Sequence, residues 1–497
     1  MRINSGLKYF DFVLKRKFYY QIFDRLFREK IVVVVLLYIS IFPQIIQVNR
    51  IVIKNVLSGD WYLARQLMSI SKNRISDFDL ITDVSFVDPT NLYPLFGNLG
   101  YSNGLQILTP NIVFFKFMPD NFVFIFHFLF VTSIAIYYIL KLAKILQFDN
   151  TQIIFFAIVW LNCGPLVARI SEGHIQLLGY YLIPGFFYHI HLIRSTGSLY
   201  SYLNLGFFLG FIELLGSTHV YFQMCLIGLF ISIFNPKKIL MSILTLLISI
   251  LASAIQILPI IFFNIYTGSE RSVYEGYGYH FIERYFDLPV QSNEFEWLRE
   301  VIGIPFHLFI ALVDYKRAIA LEGWEWTLYI GLIPTLFCFL AVWKFRHNVI
   351  KFVSKNLYLI PLFLISLSLI YRLMFLALSN IMQIVAVDRV PYRMMIYILF
   401  LVWLFACHKF PSLLKGLYGK KYLVFFLIIT AYINLLVSTN SWFIRHRVEN
   451  LNTVKFIQDA PQNMNYKNFV FSCFLITLFT WGTYVFYRIN LKYKSKV

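Results

Sequence analysis

The chain has 497 residues, of which 59% are hydrophobic, 19% aromatic and only 14% charged, and its formal net charge is +19. Soluble globular proteins carry roughly 25% charged residues, so this composition excludes an ordinary soluble enzyme. The apolar content also excludes a disordered chain. Apolar runs of roughly 20 residues recur along the sequence, and a helix of that length crosses the hydrocarbon core of a bilayer. They predict an all-α, polytopic transmembrane protein.

Twelve apolar segments are predicted to span the membrane. In chain order they lie near residues 31–50, 121–140, 151–168, 175–193, 200–217, 219–234, 239–262, 326–343, 356–378, 392–408, 422–438 and 468–487. The chain is therefore predicted to be one integral membrane domain, 1–497, with a basic cytoplasmic tail at 1–30. No small-residue cleavage site follows the first apolar run, so we expect no cleavable signal peptide. The five cysteines all lie in apolar runs, so we expect packing thiols and no disulfide framework.

The distribution of basic residues predicts the orientation. With the N-terminus inside and the spans alternating, the inside segments hold 25 of the 44 basic residues and only four of the 25 acidic ones. The rest of the chain is nearly neutral. Positive charge concentrates on the cytoplasmic side of membrane proteins, so both termini are expected inside a bacterial cell membrane. The basicity is then topological and requires no nucleic-acid partner.

Three long loops are predicted on the outer side, at about 51–120, 263–325 and 439–467, and they are the expected seat of any chemistry. The first is rich in aspartate, with Asp60, Asp77, Asp79 and Asp83 in a short stretch. A general base must reach the proton that it abstracts, and paired carboxylates hold divalent cations. A catalytic base or a metal ligand among these aspartates is therefore one interpretation. A solvated loop surface is the other.

Two tight outer turns carry ionisable residues at the edge of the membrane. Arg169, Glu172 and His174 lie between the third and fourth predicted spans, and His219 lies between the fifth and sixth. Such groups are costly in lipid and usually face a cavity or a partner. They are candidates for a phosphate- or sugar-facing pocket. An Arg169–Glu172 pair that closes the turn, and a capped or packed His219, are the structural alternatives.

Further candidates lie in the second loop and at the start of the tenth span. Arg271 and Tyr274 belong to a polar, aromatic stretch that suits either the membrane interface or stacking against sugars. Arg389 and Arg393 are four residues apart and would share a helix face. Arginine suits bidentate recognition of phosphate, and snorkelling to the interface is the alternative.

Five segments give the chain its resemblance to a known family. They are SEGHIQLLGYYLIP (171–184), GSTHVYF (216–222), GSERSVYEGYG (268–278), GWEWTLYIGLIP (323–334) and DRVPYR (388–393). In this order and spacing they resemble the YfhO-like family of bacterial polytopic membrane proteins, which is grouped with the GT-C glycosyltransferases. The resemblance spans residues 55 to 410 approximately.

The resemblance implies a GT-C-like architecture and transfer of a sugar from a polyprenyl-phosphate carrier on the outer face of the membrane. It implies a base or metal ligand in the first outer loop, a role that falls on Asp60, Asp77, Asp79 or Asp83. Donor phosphate binding would fall on Arg389 and Arg393, with Arg271. Arg169, Glu172, His174, His219 and Tyr274 would line the substrate pocket.

The expected partners are therefore a polyprenyl-phosphate sugar, membrane lipid and a glycan, lipid or protein acceptor of the cell envelope. A divalent cation is an open alternative, and no other cofactor is expected. Two other functions are kept as alternatives. One is a surface-polysaccharide polymerase or ligase, and the other is a lipid or oligosaccharide transporter. The near absence of charge inside the predicted spans argues against an ion-coupled transporter.

Overall fold

A computed structural model of the protein describes residues 30–53, 86–87, 110–171, 173–233, 239–258, 328–356, 359–360, 394–415, 421–444, 456–457 and 464–494. Nearly all of these residues are helical. In the first half the helices are α1 (Lys30–Ile53), the 3-10 helix η1 (Pro110–Phe117), α2 (Asp120–Ile145), α3 (Asn150–Leu161), α4 (Gly164–Ser171), the 3-10 helix η2 (Ile175–Leu182), α5 (Ile183–Thr196), α6 (Leu199–Leu214), α7 (Thr218–Ile233) and α8 (Ile239–Ala252).

The second half contains five helices in the part of the chain that the structure covers. They are α9 (Leu332–Lys344), α10 (Arg346–Lys355), α11 (Met395–Leu413), α12 (Lys421–Ile444) and α13 (Met464–Lys494). Eleven of the twelve predicted spans overlap these helices, and most of 356–378 lies outside the described residues. Two short strands, β1 (Phe86–Val87) and β2 (Phe456–Ile457), pair antiparallel, with Phe86 opposite Ile457.

Four described helical segments are long and apolar enough to cross a membrane: Ile31–Asn49, Phe122–Ile145, Asn150–Ser171 and Met395–Leu413. Five further apolar helices are shorter. The 16-residue helices α6 and α7 illustrate the difference. At about 1.5 Å per residue each is roughly 24 Å long, less than the ~30 Å hydrocarbon core of a typical bilayer. Apart from the two short strands, the described regions are thus helical and of membrane type.

The third predicted span, 151–168, is interrupted. Asp149 and Gln152 form a capping box at the start of α3, but the helix ends at Leu161 and a new one begins at Gly164. Pro165 lacks an N–H and cannot continue the hydrogen-bond ladder of α3, whereas its fixed φ suits the first turn of α4. The fourth predicted span, 175–193, also changes its helix type: it begins as the 3-10 helix η2 and becomes α-helical at Ile183.

Helices α3 and α4 form the centre of the bundle. In the most apolar 18-residue stretch of Asn150–Ser171, 94% of the residues are buried, against 33% in the corresponding stretch of α1. On one side of α3, Trp403 of α11 donates from Nε1 to the Phe156 carbonyl at 3.2 Å. The Trp403 ring packs edge-on against Phe155. The apolar core therefore surrounds α3, and the interrupted segment is an internal element.

Helix ends that the charge distribution assigns to the inner side meet at one end of the bundle. Lys344 at the end of α9 donates to the Ser412 carbonyl near the end of α11, and Arg194 in α5 donates to the Asn356 side chain. These two hydrogen bonds agree with helices that alternate in direction.

The five cysteines are free thiols, all buried except for the half-buried Cys225.

Candidate functional site

Two of the segments that carry the family resemblance, 171–184 and 216–222, contact each other at the 3-10 helix η2, and the start of α11 packs there as well. The amide of Gly179 in η2 donates to the Ser217 hydroxyl in the turn between α6 and α7, at 3.0 Å. The Tyr180 hydroxyl donates to Gln223 of α7, also at 3.0 Å. Tyr180 also packs edge-on against Tyr397 in the first turn of α11. Three separate parts of the chain are therefore brought to one place.

Arg169 is a buried cation of this region. It lies in the last turn of α4 and is 3% exposed. Its Nη1 donates to the Pro165 carbonyl at 2.8 Å, and its guanidinium carbon lies 5.1 Å from the centre of the Tyr180 ring. A desolvated cation over an aromatic face is stabilised by about 2 kcal/mol. Tyr180 thus holds the guanidinium next to η2.

The turn after α4 positions His174. Gly173 has φ +83°, in the left-handed region that favours glycine, and this reverses the chain. The His174 amide then donates to the Arg169 carbonyl at 3.0 Å, and its own carbonyl accepts from Leu177 at the start of η2. His174 is buried. Arg169 and His174 are therefore neighbours, joined through the backbone.

The second turn, between α6 and α7, positions His219. Gly216 has φ +76° and serves the same purpose as Gly173. Ser217 and Thr218 are buried, and His219 is half-buried in the first turn of α7. Since Ser217 bonds to Gly179, the turn that carries His219 lies against η2. All three described residues of the predicted pocket thus belong to elements that pack on η2.

The remaining predicted site residues lie outside the described residues. They are Asp60, Asp77, Asp79, Asp83, Glu172, Arg271, Tyr274, Arg389 and Arg393. The described chain resumes at Met394, the residue after Arg393 in sequence, and Met394 is buried. Among the described residues, no group of three His, Cys, Asp or Glu side chains is suited to hold a metal ion.

A second polar network seals the interruption between α3 and α4. Gln44 of α1 donates to the Leu161 carbonyl at 2.8 Å and to the Asn162 side chain at 2.9 Å. Its own oxygen accepts from the Tyr181 hydroxyl of η2 at 2.9 Å. The amide of Gly164 donates to the Tyr329 carbonyl, in the segment leading into α9. The break is thereby hydrogen bonded by Gln44 on one side and by Tyr329 on the other, and Tyr181 bonds to Gln44.

Sequence reasoning did not identify Gln44, Tyr180, Tyr181, Gln223 or Tyr397 as part of this region. Gln44 and Gln223 are uncharged amides inside apolar runs. Because an amide in lipid needs a hydrogen-bond partner on another helix, this position could have indicated that they belong to a contact between helices. The tyrosines carried no such signal, since tyrosine is common at membrane interfaces.

Comparison with known proteins adds no relative: no protein-family model matches the chain, and no significant match was found among curated proteins or solved structures.

Proposed function

We propose that the protein is a membrane glycosyltransferase of GT-C type. It moves a sugar from a polyprenyl-phosphate carrier to a cell-envelope acceptor on the outer face of a bacterial cell membrane. The proposal includes the twelve-span GT-C architecture and the membership of the YfhO-like family, both expected from the sequence motifs. In this orientation η2 and the two glycine turns face the outer half of the membrane.

One observation carries the proposal most strongly. Ser217 of the second motif bonds to η2, which belongs to the first motif, and Tyr329 of the fourth motif accepts from Gly164 of α4. Tyr397, four residues beyond the fifth motif, packs against η2. A buried guanidinium, Arg169, lies among them. A buried cation next to the helix where separate parts of the chain meet suits an anionic substrate group. The phosphate of a lipid carrier has that charge and is delivered from the bilayer.

The proposed roles follow from the chemistry of the transfer. An aspartate of the first outer loop, Asp60, Asp77, Asp79 or Asp83, removes the proton of the acceptor hydroxyl. In the alternative, the aspartate would hold a metal ion that lowers the pKa of this hydroxyl, so that the proton is lost to water. The acceptor oxygen bonds to the anomeric carbon as the bond to the carrier phosphate breaks. Arg389, Arg393 and Arg271 then stabilise the departing phosphate. Arg169, Glu172, His174, His219 and Tyr274 line the pocket.

A transfer assay tests the proposal. Full-length protein in nanodiscs is given radiolabelled polyprenyl-phosphate sugars and a membrane extract. We expect labelled product from wild type, and loss of product in one aspartate-to-asparagine variant and in Arg389→Ala. The matched control is Lys351→Ala, an exposed cation on α10. A chelator in parallel reactions separates a metal ligand from a base. If wild type transfers no sugar from any donor, the proposal is wrong.

A transporter is the second candidate, and the interrupted helix favours it. Non-helical backbone at membrane depth is tolerated where it is buried or lines a cavity, and broken helices often line substrate paths. The same nanodisc preparation discriminates the two. A transporter in liposomes would move the lipid-linked sugar between leaflets without making product, and would keep this activity in all the aspartate variants.

A further inference from the structure

Helix α10 does not belong to the core of the bundle, since none of its ten residues is buried. Both of its ends are nevertheless attached to other helices. Immediately before α10, Lys344 donates to the Ser412 carbonyl near the end of α11. Immediately after α10, the Asn356 side chain accepts from Arg194 near the end of α5. Helix α10 therefore runs from the end of α11 to the end of α5.

Helices α2 and α5 run parallel and end at the same side of the molecule. Phe128 of α2 packs edge-on against Tyr181, two residues before α5 begins. Farther along both helices, Tyr138 of α2 packs edge-on against His189 of α5. Contacts that advance in the same direction along both chains show that the C-terminal end of α5 lies beside that of α2.

The end of α11 lies at this side as well. The Phe148 ring, just after the end of α2, stacks on His408 near the end of α11, with 6.2 Å between the ring centres. The C-terminal ends of α2, α5 and α11 are therefore together. Since α10 connects two of these ends, its axis runs across the end of the bundle and along the plane of the membrane.

The sequence of α10, RHNVIKFVSK, divides the helix surface into two faces. At about 3.6 residues per turn, one side carries the apolar residues Val349, Ile350, Phe352 and Val353. The opposite side carries polar residues with two lysines and no acid: His347, Asn348, Lys351, Ser354 and Lys355. Arg346, in the first turn, lies over the Trp343 ring of α9. Helix α10 is thus amphipathic, with a basic polar face.

The apolar face of α10 is only partly covered by protein. Ile350 is 64% exposed and Phe352 is 43% exposed. The preceding helix α9 carries a stripe of exposed apolar side chains at helical spacing: Leu336, Phe339, Leu340 and Trp343. Such a stripe on a membrane helix faces acyl chains. Because Phe345 alone separates α9 from α10, the same leaflet reaches the apolar face of α10.

We propose that α10 is an interfacial helix that binds anionic phospholipids. Ile350 and Phe352 lie among the acyl chains, and Lys351 and Lys355 contact the headgroup phosphates. Amphipathic helices with a basic face lie in the plane of the interface, and cations at the membrane surface attract anionic lipids. The interaction is separate from the proposed glycosyl transfer, because the 14 residues of α5 place about 21 Å between η2 and this end of the bundle.

Spin-label accessibility tests the position of α10. Full-length protein without its native cysteines carries a nitroxide at Ile350→Cys or at Ser354→Cys, in nanodiscs of phosphatidylcholine with or without phosphatidylglycerol. We expect oxygen, which concentrates among acyl chains, to relax the label at position 350. A water-soluble nickel chelate should relax the label at position 354. Phosphatidylglycerol should raise the ratio of oxygen to nickel accessibility at position 350, because it draws the helix into the interface.

A pair of double variants separates the lysines of α10 from positive charge in general. Lys351→Gln with Lys355→Gln should abolish the response of the label at position 350 to phosphatidylglycerol. Lys141→Gln with Lys144→Gln, which removes two exposed cations from the end of α2, should keep it.

Three results would overturn the proposal. Equal accessibility at positions 350 and 354 would place α10 outside the interface. An equal response of wild type and both double variants to phosphatidylglycerol, or no response of wild type, would remove the anionic lipid. A label at position 350 that neither reagent reaches would show that a protein surface covers the helix.

Discussion

Tyr180 is the residue that connects the parts of the candidate site. Its ring faces Arg169, its hydroxyl bonds to Gln223, and its edge meets Tyr397. The sequence predicted the grouping of Arg169 with His174, because both lie in one short turn. It could not predict Tyr180 as the connection, because that contact depends on how α7 and α11 pack against η2.

Removal of the Tyr180 hydroxyl tests this connection. We expect Tyr180→Phe to lower the free energy of unfolding by about 1 kcal/mol, because a buried side-chain hydrogen bond contributes roughly that much. The matched control is Tyr137→Phe on α2, since Tyr137 is 53% exposed. Denaturation in detergent, followed by circular dichroism, measures both variants. Equal stability of the two variants would contradict the role given to the hydroxyl.

At the scale of elements, apolar runs were sufficient to predict where helices lie. They were not sufficient to predict the interruption at Asn162 and Cys163, because Gly164 and Pro165 are a local signal inside a strongly apolar stretch. The 3-10 form of η2 was also missed. Its hydrogen bonds to Ser217, Gln223 and Gln44 come from other helices, so only the tertiary structure reveals why this turn is not α-helical.

The interruption between α3 and α4 is expected to depend on Gln44 and Tyr181 acting together. Gln44→Leu leaves the Leu161 carbonyl without its donor and should cost about 1–3 kcal/mol of unfolding free energy. Tyr181→Phe removes the hydroxyl that bonds to the same amide. In a double-mutant cycle the two changes should be less than additive by at least about 0.5 kcal/mol. Strict additivity would show that the two side chains do not form one network.

The close contact of α6 with α8 depends on two small residues, Gly210 and Ala252. We expect Gly210→Ala to destabilise the protein by about 1–3 kcal/mol, because the added methyl group would overlap Ala252 and the Ser249 carbonyl. Gly228→Ala on α7 is the control, since a Cβ there meets no atom within 4 Å. Thermal melting in nanodiscs should show a lower Tm for the first variant alone. Similar melting of the two variants would contradict the close packing.

At the scale of the whole molecule, the pairing of β1 with β2 joins two loops that are far apart in sequence. Phe86 lies in the first predicted outer loop and Ile457 in the third. Both loops must then lie on the same side of the membrane. The charge distribution had predicted that common side, but no sequence pattern predicted the pairing itself, because each strand is only two residues long.

A disulfide cross-link tests the pairing. In a background without the native cysteines, the double variant Phe86→Cys with Ile457→Cys should form an internal disulfide on mild oxidation. Directly opposed residues of an antiparallel pair lie within disulfide reach. Mass spectrometry of the linked peptides measures the yield, and Phe86→Cys with Phe471→Cys is the control, since Phe471 is an exposed residue of α13. Equal yields in the two variants would contradict the strand pairing.

The proposed binding of an anionic lipid carrier beside Arg169 can be measured by native mass spectrometry of the full-length protein. Polyprenyl phosphate is offered in competition with phosphatidylglycerol to wild type, Arg169→Gln and the control Arg346→Gln, an exposed cation on α10. We predict that wild type and Arg346→Gln retain polyprenyl phosphate, and that Arg169→Gln loses it while remaining folded, with a lower Tm because its contact with Tyr180 is lost. Undiminished binding by a folded Arg169→Gln variant, or equal displacement by phosphatidylglycerol in wild type, would contradict the account.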